Sequence, residues 1–180
     1  MTTADLTQNY FKLFDLPISY DLDLAELSDR YRKLQHTVHP DKFANASDLE
    51  RRMSMQKSAL INEAYQTLKS PLQRARYMLQ LKGVDLAADT STSMDSEFLM
   101  QQMRLREELE QIRSHSNPES KLLILVKEIE QAIADQTTVL SRLFNEANDK
   151  CLEQIADYVR RMQFMTKLQQ ETEALEEELL

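Results

Sequence analysis

The chain has 180 residues, of which 42% are hydrophobic, so it can bury a substantial core in one average domain or two small ones. Its single glycine, Gly83, makes sheet-rich folds and glycine-rich phosphate loops unexpected, because tight β-turns and such loops depend on glycine. The net charge of −8 argues against nucleic acid as the main partner, since duplex binding requires basic side chains that neutralise phosphates.

The composition therefore predicts an all-α protein, and three further features narrow its class. One cysteine, Cys151, can build neither a disulfide framework nor a CxxC zinc site, which favours a reducing compartment. The longest apolar run, Leu122–Val126, is far shorter than the roughly 18 residues of a membrane span. Residues 1–8 carry no targeting pattern, so a cytoplasmic protein without membrane contact is expected.

The charge is distributed unevenly along the chain. Residues 1–83 carry twelve basic and ten acidic side chains, whereas residues 84–180 carry ten basic and twenty acidic ones. This asymmetry predicts two units with different partners. We place the first unit at 1–83, a polar linker at 84–95 and an acidic helical unit at 96–180.

Four helices are predicted in the first unit. Asn9 caps a short helix that carries Tyr10, Phe11 and Phe14 and ends before Pro17. An amphipathic helix follows, with its apolar side chains three and four residues apart: Leu24, Leu27, Tyr31, Leu34 and Val38. Pro40 stops this helix, because the residue before a proline is disfavoured in the α region.

A long third helix begins near Ser47 or Asp48. Its predicted apolar stripe comprises Leu49, Met53, Leu60, Ile61, Ala64, Tyr65 and Leu68. The pair Ser70-Pro71 starts a fourth helix, which Gly83 ends in the position that glycine commonly occupies after a helix. The prediction is an antiparallel hairpin of two long helices with short helices at its flanks.

The tripeptide His39-Pro40-Asp41 lies between the two long helices. Pro40 restricts the backbone, so the turn offers an imidazole and a carboxylate to a partner at low entropic cost. Arg30, Arg32 and Lys33 lie upstream, and they could steer an acidic surface to the turn.

Simpler interpretations of these residues are a surface or capping role for His39 and an ordinary solvated face for the basic residues. A metal site at His36, His39 and Asp41 is disfavoured, because Pro40 interrupts the helix that would have to hold the ligands.

Together these motifs resemble the J-domain, with which DnaJ-type co-chaperones engage Hsp70 chaperones. The resemblance rests on His39-Pro40-Asp41, the basic run 31–34 before it, the run 61–68 (INEAYQTL) after it, and Ser70-Pro71 with Arg74-Ala75. J-domains commonly have tyrosine before the tripeptide, where this chain has Val38.

Three helices are predicted in the second unit, over about 96–115, 118–148 and 149–180. The second carries Leu122, Val126, Ile129, Ile133, Leu140, Phe144 and Ala147, and the third carries Leu152, Ile155, Val159, Met162, Leu168, Leu175 and Leu179. Three such helices joined by short turns predict an antiparallel bundle.

The first helix of this bundle has too many apolar residues for one buried face. Phe98, Leu105, Leu109 and Ile112 point in one direction, whereas Leu99, Met100 and Met103 share the opposite side with Glu107. Phe164, flanked by basic residues, repeats the anomaly on the third helix. A charged rim around surplus apolar residues is typical of a partner site, and packing against the first unit or under the linker is the alternative.

From about residue 8 to its end, the chain resembles the HscB family, the J-proteins of iron–sulfur cluster assembly, and within that family it is similar to the bacterial form. The residues that carry this resemblance are Asn9-Tyr10-Phe11, His39-Pro40-Asp41-Lys42-Phe43, Phe98-Leu99-Met100 and 105–109 (LREEL). The family has an acidic residue where this chain has Arg104.

The resemblance implies an adaptor that regulates a partner ATPase and is not itself an enzyme. It implies contact with an HscA-type Hsp70 through His39, Pro40, Asp41, Arg30, Arg32, Lys33 and Lys42. It implies contact with an IscU-type scaffold through Leu99, Met100, Met103, Glu107 and Phe164. Catalytic residues, metal ligands and a cofactor are not expected.

Two other functions stay open on the sequence. A general J-protein could recruit unfolded chains through the methionine-rich patch. A helical oligomerisation protein could zip its acidic tail, Glu171–Leu180, against a second copy, although Thr172 interrupts the apolar seam of that tail.

Overall fold

The computed structural model describes residues 9–43, 46–86, 96–146 and 151–179, with the side chains of Pro40 and Asp41 outside that description. Within these ranges it is built from helices and turns, as the composition predicts. The chain divides into two compact units, Met1–Met78 and Leu79–Leu180. No described helix is long and apolar enough to cross a membrane.

Four α-helices begin and end in or near the first unit: α1 (Tyr10–Leu13), α2 (Leu24–Val38), α3 (Asp48–Lys69) and α4 (Pro71–Leu81). A 3₁₀ turn, Pro40–Phe43, lies between α2 and α3. The predicted start signals are confirmed, since the side chain of Asn9 caps α1 and Ser47 forms a capping box with Glu50 on α3.

Gly83 terminates α4. Gly83 has a φ of +79°, a conformation that side chains disfavour. The amide of Gly83 donates to the Gln80 carbonyl, and the amide of Val84 donates to the Leu79 carbonyl, 3.0 Å away in both cases. This is the hydrogen-bond pattern of a Schellman motif, so the predicted helix stop is confirmed.

The core of the first unit is assembled from aromatic and aliphatic side chains on every helix. Its largest buried members are Phe11, Phe14, Tyr20, Leu27, Ile61 and Leu68. Arg74 is also buried; its guanidinium lies over the Tyr20 ring at 5.1 Å and donates to the Leu68 carbonyl at 2.7 Å. Burial lowers the pKa of Arg74 because it disfavours the charged form. The contacts with Tyr20 and Leu68 offset part of this desolvation cost.

Some residues of the predicted apolar stripes are exposed to solvent and do not belong to the core. Leu49 and Met53, at the start of α3, are 66% and 43% exposed, and Leu24 of α2 is exposed as well. The stripe becomes core only from Ile61 onward, where α1 packs across the hairpin. Helical spacing alone therefore overestimated the length of the buried face.

The second unit contains α5 (Ser96–Gln111), α6 (Pro118–Asn145) and α7 (Leu152–Leu179), with a 3₁₀ turn at Ile112–Ser114. The three predicted helices are confirmed, but α5 ends at Gln111 and not near His115, and α6 ends at Asn145 and not at Asn148. The predicted residues 87–95, 147–150 and Leu180 lie outside the described ranges.

All three helices of the second unit contribute to one core cluster. Phe98, Leu105 and Ile112 come from α5, Leu122, Leu125 and Ile129 from α6, and Met165, Leu168 and Leu175 from α7. Thr172 is fully buried as well, and its hydroxyl donates to the Gln169 carbonyl at 2.7 Å. Thr172 and Leu175 of the acidic tail thus belong to the core of this unit.

Candidate functional site

The turn after α2 presents His39 from a defined backbone. His39 is the C-cap of α2, with φ −57° and ψ 128°, and its carbonyl accepts the amide of Lys42 at 3.0 Å. Pro40 cannot continue the α-helix, so the chain turns into the 3₁₀ segment Pro40–Phe43. The exposed imidazole of His39 therefore lies between two ordered segments, α2 before it and the 3₁₀ segment after it.

A buried hydroxyl ties that helix end to α3. Ser54 is 3% exposed, and its Oγ donates to the carbonyl of Val38 at 2.6 Å. The bond satisfies a carbonyl that the end of α2 leaves without an intrahelical partner. It also joins the residue immediately before His39 to the neighbouring helix.

Polar and aromatic contacts continue from Ser54 along the α2–α3 interface. Ser58 donates to Gln35 at 3.1 Å, and Tyr31 donates to Asn62 at 2.8 Å. The rings of Tyr31 and Tyr65 stack with centroids 4.1 Å apart. Residues earlier in α2 contact residues later in α3, so the two helices are antiparallel and the predicted hairpin is confirmed. Much of the interface that was expected to be apolar consists of polar and aromatic contacts.

The Ser54 bond yields a stability prediction. Ser54→Ala removes the hydrogen bond to the part-buried Val38 carbonyl, at a cost of about 1–2 kcal/mol in the free energy of opening α2. We expect amide hydrogen exchange in α2 of the full chain to accelerate about 5–30-fold. Ser58→Ala is the control, because its partner Gln35 can turn to water; an equal acceleration there would contradict the special role of Ser54.

The basic residues upstream of the turn have different surroundings. The guanidinium of Arg30 donates to the Phe14 carbonyl at 3.0 Å, to Asp15 at 2.9 Å and to Glu26 at 2.7 Å. Hydrogen bonds to Glu26 and then to Asp15 raise the pKa of Arg30. Arg30 thus holds the segment after α1, and its predicted role toward a partner stays a prediction.

The other predicted basic residues lie nearer to the turn or face solvent. Arg32 pairs with Asp29, one turn earlier on α2, and both side chains are exposed. Lys33 and Lys42 are exposed. The ammonium of Lys42 donates to Nδ1 of His36 at 3.1 Å. Among the described residues, no group of three or more potential ligands could hold a metal ion.

On α5, the structure confirms two apolar faces. Phe98, Leu105 and Ile112 are buried, whereas Leu99, Met100 and Met103 are 42%, 64% and 65% exposed. Glu107 is exposed on the same side of the helix. We call Leu99, Met100, Met103 and Glu107 the α5 surface. Its exposure is what a partner site requires.

Phe164 differs from the residues of the α5 surface, because it is half-buried on α7. Its ring meets that of Phe98 edge to face, with centroids 6.0 Å apart, and the guanidinium of Arg106 lies 5.6 Å from its centroid. The predicted surface anomaly is thus partly a core contact. The ring packs against the core cluster of the second unit, and it also contacts the guanidinium of Arg106.

Arg104 ties α5 to α6. Its guanidinium donates to Glu108 at 2.7 Å and to Glu128 of α6. These hydrogen bonds, with Glu128 first, raise the pKa of Arg104. The two carboxylates outnumber the one cation, so this edge stays acidic although Arg104 stands at a position where the resembling family has an acidic residue.

The sequence analysis missed an apolar feature on α6. Leu123 and Ile124 are 54% and 62% exposed. A signal was present, since a run of five apolar residues on a helix cannot all face one core. The predicted stripe of this helix includes Leu122 and Val126 but neither Leu123 nor Ile124.

Comparisons with known proteins match both units. Residues 2–77 match the family model described as "DnaJ domain", and residues 94–173 match "HSCB C-terminal oligomerisation domain". The chain is 48% identical to a "Co-chaperone protein HscB homolog" of Shewanella pealeana, over 96% of this chain and 99% of that one. A homologue of the same description from Photobacterium profundum is 46% identical, over 94% and 97%.

Solved structures agree with these matches. "Chaperone HscB from Vibrio cholerae" superimposes with a TM-score of 0.83 at 40% identity, over 96% of this chain and all of that one. The human co-chaperone protein HscB superimposes with a TM-score of 0.86 at 28% identity, over 98% and 86%.

Proposed function

Because the chain belongs to the HscB family of co-chaperones, we propose that it brings an IscU-type iron–sulfur scaffold protein to an HscA-type Hsp70 and stimulates ATP hydrolysis by that chaperone. The observation that supports the proposal is that each of the two units exposes a set of residues suited to partner contact. One is the turn with exposed His39, and the other is the exposed α5 surface. The chain then acts as a regulator of an ATPase and performs no bond chemistry itself.

We assign the Hsp70 contact to residues 1–83, the J-domain. His39, Pro40 and Asp41 form its centre, and Arg32, Lys33 and Lys42 supply positive charge around it. Exposed basic residues at a rim accelerate encounter with an acidic surface more than they add affinity. Arg30 supports this arrangement from within, through its bonds to Phe14, Asp15 and Glu26.

We assign the scaffold contact to the bundle at 96–180, after a linker at 84–95. Met100 and Met103 provide adaptable apolar contact, and Leu99 and the exposed part of Phe164 extend it. Glu107 requires a basic group on the partner nearby. Apolar anchors inside a charged rim are the arrangement in which few residues carry most of the binding free energy.

Coupling follows from tethering. A scaffold bound to the bundle is held near the chaperone that the J-domain engages, at an effective concentration of roughly millimolar. The turn must bind the hydrolysis-competent state of the chaperone more tightly than the resting state, because only a differential affinity shifts such an equilibrium. We place this cycle in the cytoplasm, in accord with a composition of one cysteine.

The test is single-turnover ATP hydrolysis by the cognate HscA-type chaperone. The full chain is expected to accelerate hydrolysis, and addition of the cluster-free scaffold is expected to accelerate it further. Equal enhancement by a denatured protein in place of the scaffold would instead support a general-cargo adaptor. No acceleration in either arm would overturn the co-chaperone proposal.

A further inference from the structure

The exposed pair on α6 divides between two sides of that helix. Leu123 lies in a groove between α6 and α7, with Leu122, Val126 and Leu179. Ile124 lies in a pocket of about 230 Å³ between α5 and α6, with Ile112 and Leu125 at its apolar wall. We call this second feature the α5–α6 pocket; its remaining lining residues are Glu108, Gln111, His115 and Lys121.

The α5 surface runs directly into this pocket. Met100, Met103, Glu107 and Gln111 follow one another at intervals of three and four residues along α5, so they form one continuous stripe. Gln111, the last residue of α5, is also a lining residue of the pocket. A partner that lies along the stripe therefore reaches Ile124 without leaving the surface of the bundle.

Arg104 links the two helices beside the pocket. Glu108 lines the pocket, and Glu128 lies one turn beyond Ile124 on α6. The guanidinium of Arg104 donates to Glu108 on its own helix and to Glu128 across the interface, so it joins α5 to α6 next to the pocket. A preformed pocket costs a ligand less ordering free energy than one that must open.

The pocket carries both signs of charge, whereas the stripe carries an acidic one. Glu107 lies in the middle of the stripe; at the pocket, the acidic Glu108 is paired with Arg104, and Lys121 is an exposed basic group. Nδ1 of His115 accepts the Asn117 amide at 3.2 Å, so in the neutral ring Nε2 carries the hydrogen and is a donor. A complementary partner has a basic group over Glu107 and an acidic group over Lys121.

We propose that the α5–α6 pocket is a second anchor for the same scaffold protein that binds the α5 surface. The scaffold inserts an apolar side chain against Ile124, and an acidic group beside that side chain faces Lys121. This inference rests on the proposed scaffold function and adds α6 to a contact surface that sequence reasoning confined to α5 and Phe164. The neighbouring Leu123 is on the other side of the helix and takes no part.

The adjacent leucine provides a matched control. In the full chain, binding of the cognate cluster-free IscU-type scaffold is titrated by calorimetry for Ile124→Ser, Leu123→Ser and Met103→Ser. All three side chains are exposed, so each variant is expected to retain its helix content. We expect Ile124→Ser to raise the Kd about tenfold and Leu123→Ser to change it less than about twofold, since an anchor contributes about 1.4 kcal/mol or more and a bystander little.

The variants separate the possible failures. A higher Kd for Met103→Ser with an unchanged Kd for Ile124→Ser would overturn the pocket and leave the proposed function intact. Unchanged binding in both would overturn the scaffold contact itself. Equal losses for Ile124→Ser and Leu123→Ser would show that general surface apolarity, and not the pocket, is responsible.

Charge and self-association supply two further readouts. Lys121→Glu is expected to weaken scaffold binding severalfold, with a smaller loss at high salt. An unchanged Kd would overturn the inference that an acidic group of the scaffold faces Lys121.

The molecular mass of the full chain is measured at increasing concentration. A mass that rises with concentration and returns to that of one chain in Ile124→Ser would mean that a second copy occupies the pocket, which would also overturn the proposal.

Discussion

Replacing His39 with glutamine is expected to reduce ATP hydrolysis by the cognate Hsp70 to its unstimulated rate. The imidazole is exposed at the end of α2, and the backbone carbonyl of His39 accepts the Lys42 amide, so the substitution replaces the side chain without removing that backbone bond. Single-turnover hydrolysis measures the loss of stimulation directly.

The matched control is His36→Gln, three residues earlier on the same helix. Glutamine can still accept the hydrogen bond that Nδ1 of His36 receives from Lys42, so stimulation should be retained. Helix content and scaffold affinity should be unchanged in both variants. Full stimulation by His39→Gln would contradict the assignment of the turn as the chaperone contact, whereas equal loss in both variants would point to Lys42 instead.

The double replacement Met100→Ser with Met103→Ser is expected to weaken scaffold binding roughly 100-fold. Both side chains are nearly two-thirds exposed, so a partner that covers them removes most of their apolar area from water. Loss of about 1–2 kcal/mol at each site corresponds to a Kd raised roughly 100-fold when the two add. Calorimetric titration with the cluster-free scaffold gives the value.

Stimulation without scaffold should be unaffected by this double replacement, because the chaperone contact is assigned to the other unit. Met55→Ser is the control, since Met55 is 62% exposed on α3 and belongs to neither proposed surface. A scaffold Kd within twofold of the unmodified chain would contradict the α5 assignment. A parallel loss of scaffold-free stimulation would contradict the separation of the two functions.

The helix ends were predictable because their signals are local. Asn9, Ser47 and Gly83 act through bonds to residues at most five positions away, so the sequence pattern contains the whole interaction. The two faces of α5 were predictable for the same reason. At 100° per residue, Phe98 and Met100 cannot point toward the same neighbour.

The remaining features depend on residues distant in the sequence. Arg30 meets Asp15, and Arg104 meets Glu128, only after the helices pack, so neither ion pair could be foreseen from helical spacing. Ser54 and Val38 are joined in the same way. The sequence identified these residue types as polar surface, whereas tertiary packing gave each a partner.

The polar contacts between α2 and α3 have a mechanical consequence. Apolar contact is non-directional, so helices joined only by it can slide at modest cost. Hydrogen bonds weaken steeply with angle, and here they recur at Ser54, Ser58 and Asn62 along the hairpin. Sliding by one turn would break all of them together. If a chaperone binds at His39 as proposed, a force that it applies there is transmitted to α3, because the two helices do not slide past each other.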